Sequence, residues 1–308
     1  MVPPGPGIVL AFRTQYFDDV AKLVREFRLN SFEDGTLELL EGKSVFLKRV
    51  FCPRVQRERL FVGSVVNVYG RALEVVAPAD EGTRSYLETS TSVASASLEV
   101  SGGGALGALM EGLEQSFACI KELRSSSPSS IFVEVYDTTG PNAKERLKDL
   151  ADSTRGIDYL SEEETKSVVK RQKTLPVTLC IVKPHVIEAK KAGALVSSIA
   201  DGGFEIADVR WTSFDAATAE ALFAVYKGIW PRYDDIIAHL LEGPCCLLCI
   251  RASAEVFADF CGPPDASLAK VLRPKSIRAN FGQNAVNNAL HCTDMDDDGP
   301  LETHFFFN

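Results

Sequence analysis

Residues Asn287–Phe307 read NNALHCTDMDDDGPLETHFFF, and the fold of the C-terminal third turns on them. One histidine, His291, has Asn288 three residues before it, Thr293 just after it, and Glu302 ahead of a final apolar run. An imidazole with a carboxylate placed to hold its second ring nitrogen is a candidate nucleophile or general base. The pattern predicts a short helix near Ala285–Leu290, on which Asn288 and His291 share a face. A terminal strand, Glu302–Phe307, is expected to follow.

Upstream, the apolar run Val177–Val182 predicts a strand ending in IVKPH (Ile181–His185). A helix around Ala192–Ala200, a strand Phe204–Thr212 and a helical pair over Ala216–Leu241 come next. A buried strand Cys245–Ile250, a helix Ala254–Cys261 and a Pro-containing loop with RPKSIRANFG (Arg273–Gly282) complete the segment. The order βαβ, then βαβ, is a ferredoxin-like split unit with an antiparallel sheet. It gathers Lys183 at a strand end, Arg278 in the loop, Asn288, His291 and Glu302. That set suits covalent phosphoryl transfer: an imidazole nitrogen attacks a terminal phosphate while cations stabilise its oxygens.

These residues closely resemble the nucleoside diphosphate kinase family across 176–308. The resemblance rests on IVKPH, EGPCC, CGPPD, LRPKSIRANFG, NNALHCTD and the terminal FFF. It implies that His291 is a phosphohistidine nucleophile oriented by Glu302 and Thr293. It implies that Lys183 and Asn288 contact ribose and phosphate, that Arg278 contacts the phosphates, and that ATP or another nucleoside triphosphate with Mg is the cofactor if the site is active. The chain departs from the family's pattern at four positions. A phosphate-binding arginine falls on Ala258, a phosphate-binding threonine on Pro264, the active-site tyrosine on Phe223, and the Asp of the KPD motif on His185.

Residues 1–87 read as short strands with turn punctuation, including the hairpin signal Asp34-Gly35 before Thr36–Leu40. FLKR (Phe46–Arg49) and LFVGSVVNVYGRAL (Leu60–Leu73) resemble the DM-ten module, a PH-like, protein-binding module of axonemal proteins. With the HCTD-x-x-x-DG ending, this points to the axonemal type-seven branch of the kinase family. The branch implies tubulin and other axonemal proteins as partners, and a place in the cytoplasm and cytoskeleton, in the axoneme of a cilium or flagellum.

Residues 88–172 open with TSTSVASAS (Thr89–Ser97), read as a linker, and close with the charged tract SEEETKSVVKRQK (Ser161–Lys173), read as an exposed helix or linker. Gly102, Gly104 and Gly107 spell G-x-G-x-x-G, the outline of a dinucleotide-binding turn. An internal repeat accounts for the same glycines: GGALGALMEGL echoes AGALVSSIADG, with Gly104 matching Gly193. No histidine precedes His185, so this copy cannot form a phosphohistidine. The expected class is therefore α+β. A PH-like all-β module (1–87) precedes a degenerate, truncated kinase-like domain (88–172) and a complete ferredoxin-like βαββαβ kinase domain (173–308).

Composition narrows the partners. A net charge of −9 over 308 residues argues against general nucleic-acid binding. No apolar run reaches the roughly 18 residues of a membrane span, so neither nucleic acid nor membrane is expected as a partner. Eight cysteines lie in apolar segments without framework spacing, which suits a reducing compartment. Cys246 and Cys249 form a C-x-x-C on an expected strand, where residues three apart face opposite sides. Lys48, Arg49, Arg54, Arg57 and Arg59 make a local basic segment, read either as a solvated hairpin edge or as a contact for an acidic protein surface. His185, His239 and His304 are expected to be packed or surface residues. Two functional readings stay open: an axonemal structural protein with a partly kept site, or an active kinase working through His291.

Overall fold

The computed structural model describes residues 9–18, 21–53, 55–127, 129–138, 142–160 and 176–307. The charged tract Ser161–Lys173 lies outside the described residues, and so does Arg54. The chain divides into two compact units, the first reaching Ser92. No helix among the described residues is long and apolar enough to cross a membrane.

In the first unit, six strands form one antiparallel sheet. They are β1 (Leu10–Asp18), β2 (Leu23–Ser31), β3 (Thr36–Glu41), β4 (Ser44–Phe51), β5 (Val65–Val68) and β6 (Arg71–Pro78), in the order β4-β3-β2-β1-β6-β5. Alternation explains the face: Phe27 and Leu29 of β2, Leu37 and Leu39 of β3, and Leu73 and Val75 of β6 all point inward. Helix α1 (Glu81–Ser90) follows, capped by Asp80, whose carboxylate accepts from Thr83 N at 2.9 Å. The expected hairpin is present, with Gly35 at φ +76°. Of the basic segment, Arg49 is committed to the hairpin turn, paired with Asp34 at 2.6 Å and lying over the Phe32 ring.

The second unit is built on one eight-stranded sheet. Its first half runs β7 (Ser92–Val100), α2 (Gly103–Ser116), β8 (Cys119–Ser127), β9 (Ser130–Asp137), α3 (Ala143–Ser153) and β10 (Ile157–Leu160). This is itself a βαββαβ unit, with strand order β10-β7-β9-β8. The supposed linker TSTSVASAS is corrected here: α1 takes its first residues and β7 the rest. Small residues hid the strand, but Ala94, Ala96 and Leu98 alternate inward against the helices.

The second half holds β11 (Thr178–Val182), α4 (Pro184–Glu188), α5 (Ala192–Asp201) and β12 (Glu205–Ser213), then α6 (Ala216–Leu222) and α7 (Tyr233–Leu240). It continues with β13 (Pro244–Arg251), α8 (Ala254–Cys261), α9 (Ala266–Leu272), α10 (Ile277–Phe281), β14 (Leu290–Cys292) and α11 (Gly299–Phe307). Its strand order, β12-β13-β11-β14, mirrors that of the first half, and the two join where β12 pairs with β8.

Helices α2 and α5 pack together above this join, and of the G-x-G-x-x-G glycines Gly107 serves the crossing, opposite Gly193 of α5. A Cβ on Gly107 would sit 2.6 Å from the backbone nitrogen of Ser197, and one on Gly193 would sit 2.3 Å from that of Glu111. Gly104, by contrast, faces open space. Glu114 of α2 reaches the start of α5, accepting from Ala192 N at 3.1 Å and Gly193 N at 3.2 Å. That carboxylate satisfies orphan donors at the N-terminus of α5 and sits at the positive end of its dipole. Burial raises its pKa in spite of those two bonds.

Gly107→Val is expected to overpack the crossing, costing about 1–3 kcal/mol or more and lowering the calorimetric unfolding temperature by several degrees. Gly104→Ala should leave it unchanged or raise it slightly, since only helix propensity changes there. Equal effects of the two substitutions would refute the close-packing role of Gly107.

Candidate functional site

His291 is the middle residue of β14, paired with Ile181 of β11. The chain turns into that strand through Ala289, a non-glycine residue at φ +76°, a conformation that carries strain and is held by its surroundings. Ala289 O accepts from Lys183 N at 2.9 Å, so the end of β11 and the start of β14 are fixed together. No helix covers Ala285–Leu290, which corrects the expected one. Asn288 and His291 are brought together by the turn and the strand, not by a helical face.

Glu302 also arrives by an unexpected route. Its segment is helix α11, not a terminal strand. Thr303, Phe306 and Phe307 are buried while Phe305 is 56% exposed, a helical period that the run of three phenylalanines concealed. From α11, Glu302 Oε2 accepts from Thr293 Oγ1 at 2.7 Å and lies 3.9 Å from His291 Nε2. Thr293 Oγ1 in turn accepts from Leu179 N at 2.9 Å, anchoring the pair to β11. His291 Nε2 is enclosed without a hydrogen-bond partner, and the Glu302 carboxylate is the charge nearest to it in this group.

The other expected residues converge. Lys183 is buried at the end of β11, its Nζ donating to Val286 O at 2.9 Å. Burial, then the neighbouring Arg278 charge, lowers its pKa to about 7. Arg278, on α10, donates through Nη1 to Gly262 O at 2.5 Å and through Nη2 to Leu290 O and Cys292 Sγ, both at 3.5 Å. Asn288 Nδ2 donates to Pro264 O at 2.8 Å, and its Oδ1 is buried without a partner. Phe223 is fully buried with its ring edge-on to His291, 4.8 Å between centroids. Ala258 packs at the side of the apolar core, and Pro264 is exposed.

Two residues beside the histidine were not anticipated. Tyr226 and Trp230 stack on each other at 3.9 Å and approach His291 at 6.2 and 6.3 Å. The spacing Phe223, Tyr226, Trp230 was the available signal, aromatic rings at i, i+3 and i+7. Beside Trp230 opens a cleft lined by Lys227, Arg232, Tyr233 and Asp235. No cluster of three or more His, Cys, Asp or Glu that could hold a metal occurs among the described residues. Cys246 and Cys249 face opposite sides of β13, in separate apolar clusters.

His185 and His239 are packed residues that form a chain. His239 Nδ1 meets Glu242 Oε2 at 2.7 Å, and its Nε2 meets His185 Nδ1 at 2.9 Å. The carboxylate fixes the tautomer: His239 donates to Glu242 and accepts from His185. His185 Nε2 is then a buried acceptor without a donor.

Residues 177–308 match the family model described as nucleoside diphosphate kinase. Nucleoside diphosphate kinase homolog 7 of Rattus norvegicus is 28% identical over all of this chain and 95% of its own length. The Mus musculus homolog 7 is 27% identical over the same shares. The nucleoside diphosphate kinase of Bdellovibrio bacteriovorus is 29% identical over 42% of this chain and 91% of its own. The chain is thus similar to homolog 7 throughout, and its C-terminal part is a nucleoside diphosphate kinase-like domain.

Burial, followed by the His239 and Lys183 charges, lowers the His185 pKa to about 3, so the folded protein keeps that imidazole neutral. An unfolded chain protonates it near 6.5. Its contribution is therefore full above pH 6.5 and is lost progressively as pH falls toward 3, by about 1.4 kcal/mol per pH unit. Urea unfolding from pH 7.5 to 4.5 should show a slope of about one proton that His185→Gln removes. An unchanged slope in the variant would refute this assignment.

Proposed function

We propose that this protein is a structural component of axonemal doublet microtubules whose C-terminal domain keeps a phosphohistidine site of reduced turnover. One observation carries the chemical part: His291, Glu302 and Thr293 form an intact group, with Lys183, Arg278 and Asn288 gathered around it. In that site the imidazole attacks the terminal phosphorus of a nucleoside triphosphate, the bond to the β-phosphate oxygen breaks, and the diphosphate leaves. A second diphosphate then takes the phosphoryl group from His291 by the reverse step. Because Nε2 is enclosed near Glu302, Nδ1 is the nitrogen left to attack. The carboxylate stabilises the positive charge that grows on the ring. Mg, with no protein cluster to hold it among the described residues, would arrive on the phosphates and shield their charge there.

Reduced turnover follows from Ala258 and Pro264, neither of which offers a donor to phosphate. A charged hydrogen bond contributes about 1.5–3 kcal/mol, so losing one, with a neutral one besides, costs on the order of a hundredfold. The axonemal part is supported by the N-terminal β unit with its DM-ten resemblance, by full-length similarity to homolog 7, and by a middle copy that lacks any histidine. Partners on this reading are tubulin and other axonemal proteins, and the place is the cytoskeleton of a cilium or flagellum.

A competent housekeeping kinase is the second reading, favoured by the same intact group. Incubation with γ-labelled ATP should give acid-labile label that His291→Ala abolishes and that Glu302→Gln lowers at least tenfold. No label on the unmodified protein would sink the phosphohistidine. Turnover at rates normal for the family, together with failure to co-sediment with microtubules, would sink the structural role.

The double variant Ala258→Arg, Pro264→Thr should raise the labelling rate by about tenfold or more. A rate no higher than that of the parent would show that these positions do not limit turnover.

A further inference from the structure

Cys292 follows His291 directly, and the mechanism above makes no use of its sulfur. It is buried, as is Cys261 at the end of α8. The Arg278 guanidinium lies between the two segments, with one nitrogen on Gly262 O, next to Cys261, and the other 3.5 Å from Cys292 Sγ. Among the described residues, Arg278 has no carboxylate as a hydrogen-bond partner, and its Nε is buried without any partner. A buried cation without a carboxylate favours any anion that can form beside it, and the sulfur is the group in contact.

We propose that Cys292 and Cys261 form a peroxide-reactive dithiol, with Cys292 as the attacking sulfur, Arg278 as the cation that activates it, and Cys261 as the resolving thiol. The pair stands whether or not His291 carries phosphate. In the first step the Cys292 thiolate attacks hydrogen peroxide: an S–O bond forms, the O–O bond breaks, and hydroxide leaves. Sulfur is oxidised by two electrons to the sulfenic acid and peroxide is reduced. In the second step Cys261 attacks that sulfur. The S–S bond forms, the S–O bond breaks, and the hydroxyl departs as water with the Cys261 proton.

The local electrostatics agree with these roles. A hydrogen bond from Cys261, then Arg278 and His291, hold the Cys292 thiol below its ordinary range against burial and Asp294. The Cys261 thiol is raised well above its ordinary range, mainly by burial. The two shifts run in opposite directions, so Cys292 is the sulfur favoured as thiolate, and Cys261 gives up its proton only as it attacks. Cys180 lies opposite Cys292 in the β11–β14 ladder, but burial also pushes its thiol well up. Enclosure sets the pace: peroxide, little larger than water, enters on local opening, and bulky thiol reagents are excluded longer.

The test uses the full chain, treated with hydrogen peroxide, alkylated, digested and mapped by mass spectrometry. The Cys261–Cys292 linked peptide should be the first product and should be absent from Cys292→Ser. In Cys261→Ser, dimedone should trap a sulfenic acid at Cys292. Arg278→Gln should slow cross-linking by about tenfold, following the lost thiolate fraction. Should that variant not fold, the pH profile of the unmodified protein substitutes for it, with a half-maximal rate below the ordinary thiol value expected. A first link from Cys180 to Cys292, oxidation elsewhere ahead of Cys292, or a half-maximal rate near the ordinary thiol value of about 8.5 would overturn the proposal.

Discussion

Helix α2 approaches α5 so closely that only hydrogen fits at Gly107 and Gly193, and the strands beneath them, β8 and β12, pair across the same join. This contact makes one sheet out of two βαββαβ halves. Each half alone would leave β8 or β12 as an open edge, with unpaired amides and carbonyls that invite another chain. Joining them removes both edges at once. Glu114 adds a directional element, because a carboxylate from one half caps a helix of the other. The join also fixes α5 and β12, and through β13 it fixes β11, whose end carries Lys183 and whose ladder carries β14 and His291. The middle copy, which has no histidine, thus contributes to the site by holding its sheet in place.

Much of this was legible because apolar period and turn chemistry agreed. The βαβ, βαβ order of the last domain, the strand ending at Lys183 and the hairpin at Asp34-Gly35 all follow from local pattern. Other elements did not: the expected loop that was to carry Arg278 is the two short helices α9 and α10, too brief for a period to show, and three more misses have readable causes. The strand β7 is made of serine and alanine, so its alternation carries little hydrophobic contrast. The helix α11 ends in three phenylalanines, and a run that is apolar on every side has no period to read. The approach to His291 is a turn through Ala289 at positive φ, a conformation imposed by tertiary contacts and not signalled by alanine.

The site was legible as a set of residues and only partly as a geometry. Glu302 and Thr293 do meet beside His291, and Lys183, Arg278 and Asn288 bond to the turn, strand and loop around it. Nothing in the spacing showed that Glu302 would reach Thr293 from a helix, or that Arg278 would spend donors on Gly262, Leu290 and Cys292. The chain of His185, His239 and Glu242 was hidden for a related reason. Its members are 54 and three residues apart, and only the packing of α4 against α7 and its following turn brings them into line.

The two halves of the phosphoryl-transfer problem are unequally served. Forming a phosphohistidine needs a nucleophile, an orienting group and a nearby cation, and His291, Glu302 and Lys183 lie on or beside the central strand β11. Gripping the donor needs further donors, and Ala258 and Pro264, the positions that the resemblance assigns to phosphate, supply none. The buried set also works as structure: Thr293 joins β11 to α11, Lys183 joins it to the turn before β14, and Arg278 holds α10 to the ends of α8 and β14. Removing any of these would leave unsatisfied polar groups in the core. On the proposal of reduced turnover, the histidine centre is kept for its bonds within the fold, and the side chains at the two positions that the resemblance assigns to phosphate make no such bonds.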